Sequence, residues 1–143
     1  DATLHLWAWP SEQEMAMSGY PEKVREVEWD KTSRLLASSG GNSVTIWDFE
    51  GQGPEGSEPI SLDAHFDSIT ALAFQEDGPL LASGGREGLL AVWNPFVGQE
   101  ILYVDYFEDN EISCLAWSSH DSYLLAGTAD GRLALYANPI VSS

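Results

Sequence analysis

Three histidines (His5, His65, His120), one cysteine (Cys114) and the stretch Gly84-Gly85-Arg86-Glu87-Gly88 are the residues best equipped for chemistry in this sequence. A phosphate cradle needs its glycine loop to run into Gly-Lys-Ser/Thr and a helix start, so that backbone N–H groups and a lysine surround the phosphate. Here the loop runs into Leu89-Leu90-Ala91-Val92-Trp93, an apolar strand pattern, so the sequence predicts a hairpin turn instead. No histidine has a Cys or His partner at the spacing of a zinc site, so no metal and no cofactor is expected. His120 reads as a solvated turn residue. A Gly-x-Ser-x-Gly nucleophile elbow is absent, and Cys114 has no convincing histidine partner. Following Ile112 and Ser113 in a strand pattern, Cys114 is expected to be a buried, inert thiol. Glu26 and Glu28 alternate along one strand face and are expected to meet water; no carboxylate pair stands out for glycosidase-type catalysis. The residues thus predict no catalytic site and no enzyme.

Charge narrows the partners. Six lysines plus arginines stand against 23 aspartates plus glutamates, a net charge of −17. Such a surface repels phosphate backbones and excludes nucleic acid as the expected partner. It favours basic partners, or serves solubility, or reflects a saline habitat. The 143 residues, 43% of them hydrophobic and 11% aromatic, suffice for one folded domain. No apolar run approaches the roughly 20 residues that span a bilayer, so no membrane association is expected. No signal peptide is visible and a lone cysteine forms no internal disulfide, so the expected location is cytoplasmic.

The elements that must position these residues repeat. Segments 24–48, 69–94 and 112–138 align, and residues 1–9 match the last third of such a unit. The closing aromatics Trp7, Trp47, Trp93 and Tyr136 are 40, 46 and 43 residues apart. Each unit reads strand, turn, strand, turn, strand. Val24, Val27 and Trp29 correspond to Ile69, Leu72 and Phe74, and to Ile112, Leu115 and Trp117. A small-residue strand follows as Leu35-Leu36-Ala37-Ser38, Leu80-Leu81-Ala82-Ser83 and, aligned on its leucine pair, Leu124-Leu125-Ala126-Gly127. Nothing longer than a few residues holds a 3.6 period, so the chain is predicted to be all-β.

The period near 43, the Leu-Leu-Ala-Ser strand, the Asp130-Gly131 turn and the closing Trp47-Asp48 resemble WD repeats, which build β-propellers of four-stranded antiparallel blades. The resemblance covers nearly the whole chain. It implies a polar network of His, Ser or Thr, Asp and Trp that pins each blade. The second repeat keeps it best, as His65, Ser83, Glu87 and Trp93; Ser38 and Trp47 in the first repeat and Asp130 in the third are remnants. In the family a blade's fourth strand comes from the start of the next repeat. That implies a partial propeller over residues 1–143: the end of a truncated blade (1–18), two blades (24–62 and 69–106), and a blade lacking its fourth strand (112–138). Such an arc is open rather than a closed ring, and is expected to be a fragment of a longer propeller. Its apolar faces and strand edges await missing blades or self-association. The connector 48–59, rich in Gly, Pro and Glu, is expected to be a tolerated loop insertion.

The implied function is a non-catalytic scaffold that presents rim loops to a protein or peptide partner, basic ones included. The candidate rim residues are Tyr20, Phe66, Arg86, Tyr106, Phe107 and Arg132, because aromatics and arginine anchor interfaces. Two alternatives stand beside it: a regulatory or targeting module of an enzyme whose catalytic part lies outside this chain, and a self-assembling ring.

Overall fold

A computed structural model describes residues 4–8, 13–17, 24, 26–49, 59–108 and 110–137. The described elements are strands apart from one 3₁₀ turn at Ser119–Asp121. β1 (Leu4–Ala8) pairs antiparallel with β2 (Gln13–Met17). β3 (Val27–Trp29), β4 (Leu35–Ser39), β5 (Ser43–Asp48) and β6 (Ile60–Asp63) form one four-stranded sheet. β7 (Ile69–Phe74), β8 (Leu81–Gly85), β9 (Leu89–Trp93) and β10 (Ile101–Tyr106) form a second. β11 (Ile112–Trp117), β12 (Tyr123–Thr128) and β13 (Leu133–Ala137) form a third, three-stranded one. Every pairing is antiparallel between chain neighbours, the plain meander that short turns permit. The fold is all-β, and the described sheets close no ring.

The first strands sit side by side: β7 packs against both β3 and β11. The Ile69 N–H donates to the Gly41 carbonyl at 3.0 Å, and the Thr70 hydroxyl donates to the Ile112 carbonyl at 2.5 Å. Two cores fill the gaps between sheets. Leu35, Val44, Ile46 and Leu62 meet Ile69, Leu72, Phe74 and Trp93 in the first. Ala73, Leu80, Leu90 and Val92 meet Trp117 and Leu124 in the second. The middle sheet is therefore covered on both faces, which explains why β8 is built of small and apolar residues that are all buried. Glycines complete that fit. A side-chain carbon at Gly84 would stand 2.4 Å from Ile112 Cγ2, and one at Gly85 would stand 2.4 Å from the Glu87 carboxylate.

The outer face of the third sheet has no described neighbour, and Tyr123, Leu133 and Leu135 are exposed there. Cys114 is likewise exposed, against the expectation of a buried thiol. Its strand is apolar, but burial of both strand faces requires a sheet on each side, and among the described residues only one side is occupied. Glu26 and Glu28 also depart from expectation: both are half-buried. Desolvation raises both carboxyls above their ordinary value, for Glu28 against an opposing backbone hydrogen bond from Phe74.

Strand pairing also corrects the alignment of the third repeat. Trp47, Trp93 and Tyr136 lie across from Leu36, Leu81 and Leu124. Trp29, Phe74 and Trp117 lie across from the same three leucines. The counterpart of Leu80-Leu81-Ala82-Ser83 is thus Tyr123-Leu124-Leu125-Ala126, one residue earlier than the leucine pair suggests. Register follows the facing pairs, and Tyr123 occupies the first leucine's place.

Candidate functional site

The stretch Gly84–Gly88 is a hairpin: β8 pairs with β9, and the Gly88 N–H donates to the Gly85 carbonyl at 3.0 Å. Gly88 has φ +99°, where L side chains are strained, and a Cβ there would fall 1.9 Å from the Phe107 carbonyl oxygen. The glycines serve a positive φ and close packing.

Beneath this hairpin four polar side chains meet. His65 Nδ1 lies 2.7 Å from Glu87 Oε2, and its Nε2 lies 2.8 Å from Ser83 Oγ. The Trp93 indole N–H donates to the same Ser83 oxygen at 2.9 Å. With neutral His65 every proton finds an acceptor: Trp93 N–H to Ser83, Ser83 O–H to His65 Nε2, His65 Nδ1–H to the carboxylate. Burial lowers the His65 pKa below its ordinary value, against the pull of Glu87. Ser83 and Trp93 are fully buried, and the second carboxylate oxygen of Glu87 is buried without a partner.

Ser38 and Trp47 hold the corresponding places in the first sheet and are buried as well. In the third, fully buried Ala126 stands where Ser83 does, so no hydroxyl serves Tyr136. Instead the Tyr136 hydroxyl donates to Asp105 Oδ2 of the preceding sheet at 2.7 Å, and its ring packs edge-on against Tyr103. Burial and the Asp105 carboxylate raise the Tyr136 pKa well above its ordinary value. Asp130 lies in the exposed turn, where it accepts from the Thr128 hydroxyl at 2.7 Å and pairs with Arg132 at 3.1 Å. The Thr128 bond leads the interactions that hold its carboxyl at about 2.

The pinned hairpin organises one end of the sheets. The Arg86 N–H donates to the Ser68 carbonyl at 2.9 Å, tying the loop before β7 to the hairpin tip. The Phe107 N–H donates to the Gly88 carbonyl at 2.7 Å, tying in the loop after β10. On this frame Phe66 and Tyr106 lie with ring centroids 6.2 Å apart, 66% and 45% exposed respectively. Arg86 is exposed and Phe107 half-buried. Arg132 sits at the same end on the β12–β13 turn, occupied by Asp130. Tyr20 lies outside the described residues, as does most of the 48–59 connector.

Asp121, which sequence reasoning passed over, works at the opposite end. Its buried carboxylate accepts the backbone N–H groups of Glu76, Asp77 and Gly78 at 2.7, 2.9 and 2.9 Å, clamping the third sheet to the second. The Trp117 indole N–H adds a bond to the Ala73 carbonyl at 3.0 Å. Among the described residues no His/Cys/Asp/Glu cluster could hold a metal, and no helix is long and apolar enough to cross a membrane.

The sequence matches the family model of the WD domain, G-beta repeat, at residues 11–48, 56–94 and 102–136. It is 29% identical over 132 residues to the human Angio-associated migratory cell protein, covering 91% of this chain and 29% of that protein. It is 29% identical over 140 residues to the Schizosaccharomyces pombe WD repeat-containing protein srw1, covering 95% of this chain and 24% of that protein. Human Coronin-7 is 31% identical over 112 residues, 71% of this chain and 12% of its own length. The chain thus spans less than a third of the length of these curated relatives.

Proposed function

This chain belongs to the WD-repeat family, whose members are generally non-catalytic protein-interaction scaffolds, and from that premise we propose that it presents the pinned end of its second sheet to a protein or peptide partner. In this reading residues 24–62, 69–106 and 112–138 act as successive blades of a partial propeller, and 1–18 as the end of another.

The observation that carries the proposal is the exposed Phe66–Tyr106 pair beside Arg86, on loops tied to a hairpin by buried hydrogen bonds. Large aromatics and arginine supply most of the energy at interfaces, and a rigid frame reduces the ordering cost of binding. Phe107 and Arg132 extend the candidate surface. The net charge of −17 favours a basic partner and speeds its approach.

Quantitative capture of partners from cells that express the protein tests the proposal. Phe66→Ala and Arg86→Ala are expected to weaken capture at least about tenfold, the effect of losing one interface anchor. Ile101→Ala, at the far end of the outer strand from Tyr106, is expected to leave it unchanged. Undiminished capture by both rim variants would remove the proposal.

A further inference from the structure

At the end of the sheets opposite Phe66 and Arg86, three turns meet: 30–34 after β3, 75–80 after β7 and 94–98 after β9. Between them lies a cavity of about 290 Å³ lined by Asp30, Lys31, Thr32, Asp77, Pro79 and Phe96. That volume sits at the lower end of ligand sites, room for one or two side chains.

Its walls are held before anything binds. Asp30 accepts the N–H groups of Thr32 and Leu35 at 2.9 and 2.7 Å, which closes the first turn. The carboxylate of Asp121 holds the second turn through three N–H groups. Asn94 Oδ1 accepts the Phe96 N–H at 3.2 Å, which fixes the third.

The chemistry of the lining selects a cation beside an apolar group. Asp30 spends its carboxylate on its own turn, whereas Asp77 leaves a side chain 63% exposed, with the exposed His120 Nδ1 at 3.4 Å. Lys31 Nζ reaches from the first sheet to donate to the Asp77 carbonyl, so the groove already seats one cation. The Phe96 ring takes the Arg34 guanidinium at 5.7 Å from its centroid, while Arg34 is itself neutralised by Asp48 at 3.0 Å. Glu76 is exposed beside Asp77. An anionic occupant would face these carboxylates and the field of a chain carrying −17.

We propose that this groove docks a short peptide segment in which an arginine or lysine adjoins an apolar side chain. The incoming cation takes the Asp77 carboxylate and carbonyl, displacing Lys31, and the apolar side chain packs on Pro79 and Phe96. The site is independent of the Phe66–Arg86 surface, and either can fail alone.

Titration of the ¹⁵N-labelled chain with a capped hexapeptide containing adjacent arginine and leucine tests it, against a matched peptide with glutamate for arginine. Amide shifts are expected within 30–34, 75–80 and 94–98, and none there with the glutamate peptide. Asp77→Asn, an exposed change that leaves the fold intact, is expected to weaken binding about threefold to fivefold, the scale of a surface ion pair. Lys31→Met is expected to bind at least as tightly as the native chain, because the resident cation is gone. Three results would each overturn the proposal: no shifts in these turns at millimolar peptide, equal shifts with the glutamate peptide, or Lys31→Met weakening binding as Asp77→Asn does.

Discussion

Replacing Ser83 by alanine removes a single oxygen that serves two buried partners at 2.8 and 2.9 Å. The Trp93 indole N–H loses its acceptor and His65 Nε2 loses its donor, both in surroundings that water does not reach. Each orphaned group costs about 1–3 kcal/mol. Two such groups sum to about 2–6 kcal/mol; the remaining methyl keeps the site filled and His65 retains Glu87, which places the total in the lower half of that range, about 3 kcal/mol. For a chain of this size that corresponds to a fall in Tm of roughly 6–12 °C. Urea unfolding followed by tryptophan fluorescence should show a lower midpoint at unchanged slope. The Trp93 indole N–H should exchange with solvent much faster in the variant. Ser113→Ala, which loses one half-buried bond to the Gly127 carbonyl, provides the control and is expected to cost under about 1 kcal/mol. If Ser83→Ala costs no more than Ser113→Ala, the hydrogen-bonded set does not hold the second blade, and packing alone does.

The remaining predictions concern the seams and the turns. Asp121→Asn offers one carbonyl and an N–H₂ group where three backbone donors converge, so it is expected to destabilise by about 2–3 kcal/mol, with hydrogen exchange showing protection lost at residues 76–78. Gly88→Ala forces a Cβ to within 1.9 Å of a backbone oxygen and is expected to cost about 3 kcal/mol or more, whereas Gly131→Ala, with φ +91° but open space around it, should cost about 1 kcal/mol in the same denaturation assay. Acid should weaken the fold through His65: burial disfavours its cation, so below about pH 6.5 the unfolded chain binds a proton that the folded one refuses. Stability from this group is complete above that pH and declines as pH falls; in His65→Asn that part of the pH slope should vanish.

The fold class was legible because burial on two faces leaves a distinctive strand. Leu35-Leu36-Ala37-Ser38 and Leu80-Leu81-Ala82-Ser83 are apolar and small throughout, and all eight residues are buried. The third repeat misled the alignment where its leucines stand one place later and the facing aromatics, Trp117 and Tyr136 against Leu124, fix the register. Cys114 was misjudged for a related reason: a strand's own residues specify two apolar faces, but not whether a second sheet arrives to cover both. The meeting of His65, Ser83, Glu87 and Trp93 was implied by the resemblance to WD repeats, in which each of these residue types has a set place in the unit. The clamp of Asp121 was not, since its partners lie 43 to 45 residues earlier in another sheet. Its only local mark is a left-handed backbone, φ 58°, which sequence does not announce.

Site-specific photo-crosslinking tests the claim that the pinned end of the second sheet is the partner surface most directly. A photoreactive residue at position 66 is compared with one at position 101, which is also exposed but lies at the far end of the outer strand from Tyr106. Discrete partner adducts are expected from position 66, reduced by Arg86→Ala, with none from position 101. Adducts from position 101 at equal or greater yield, or none from position 66, would contradict it.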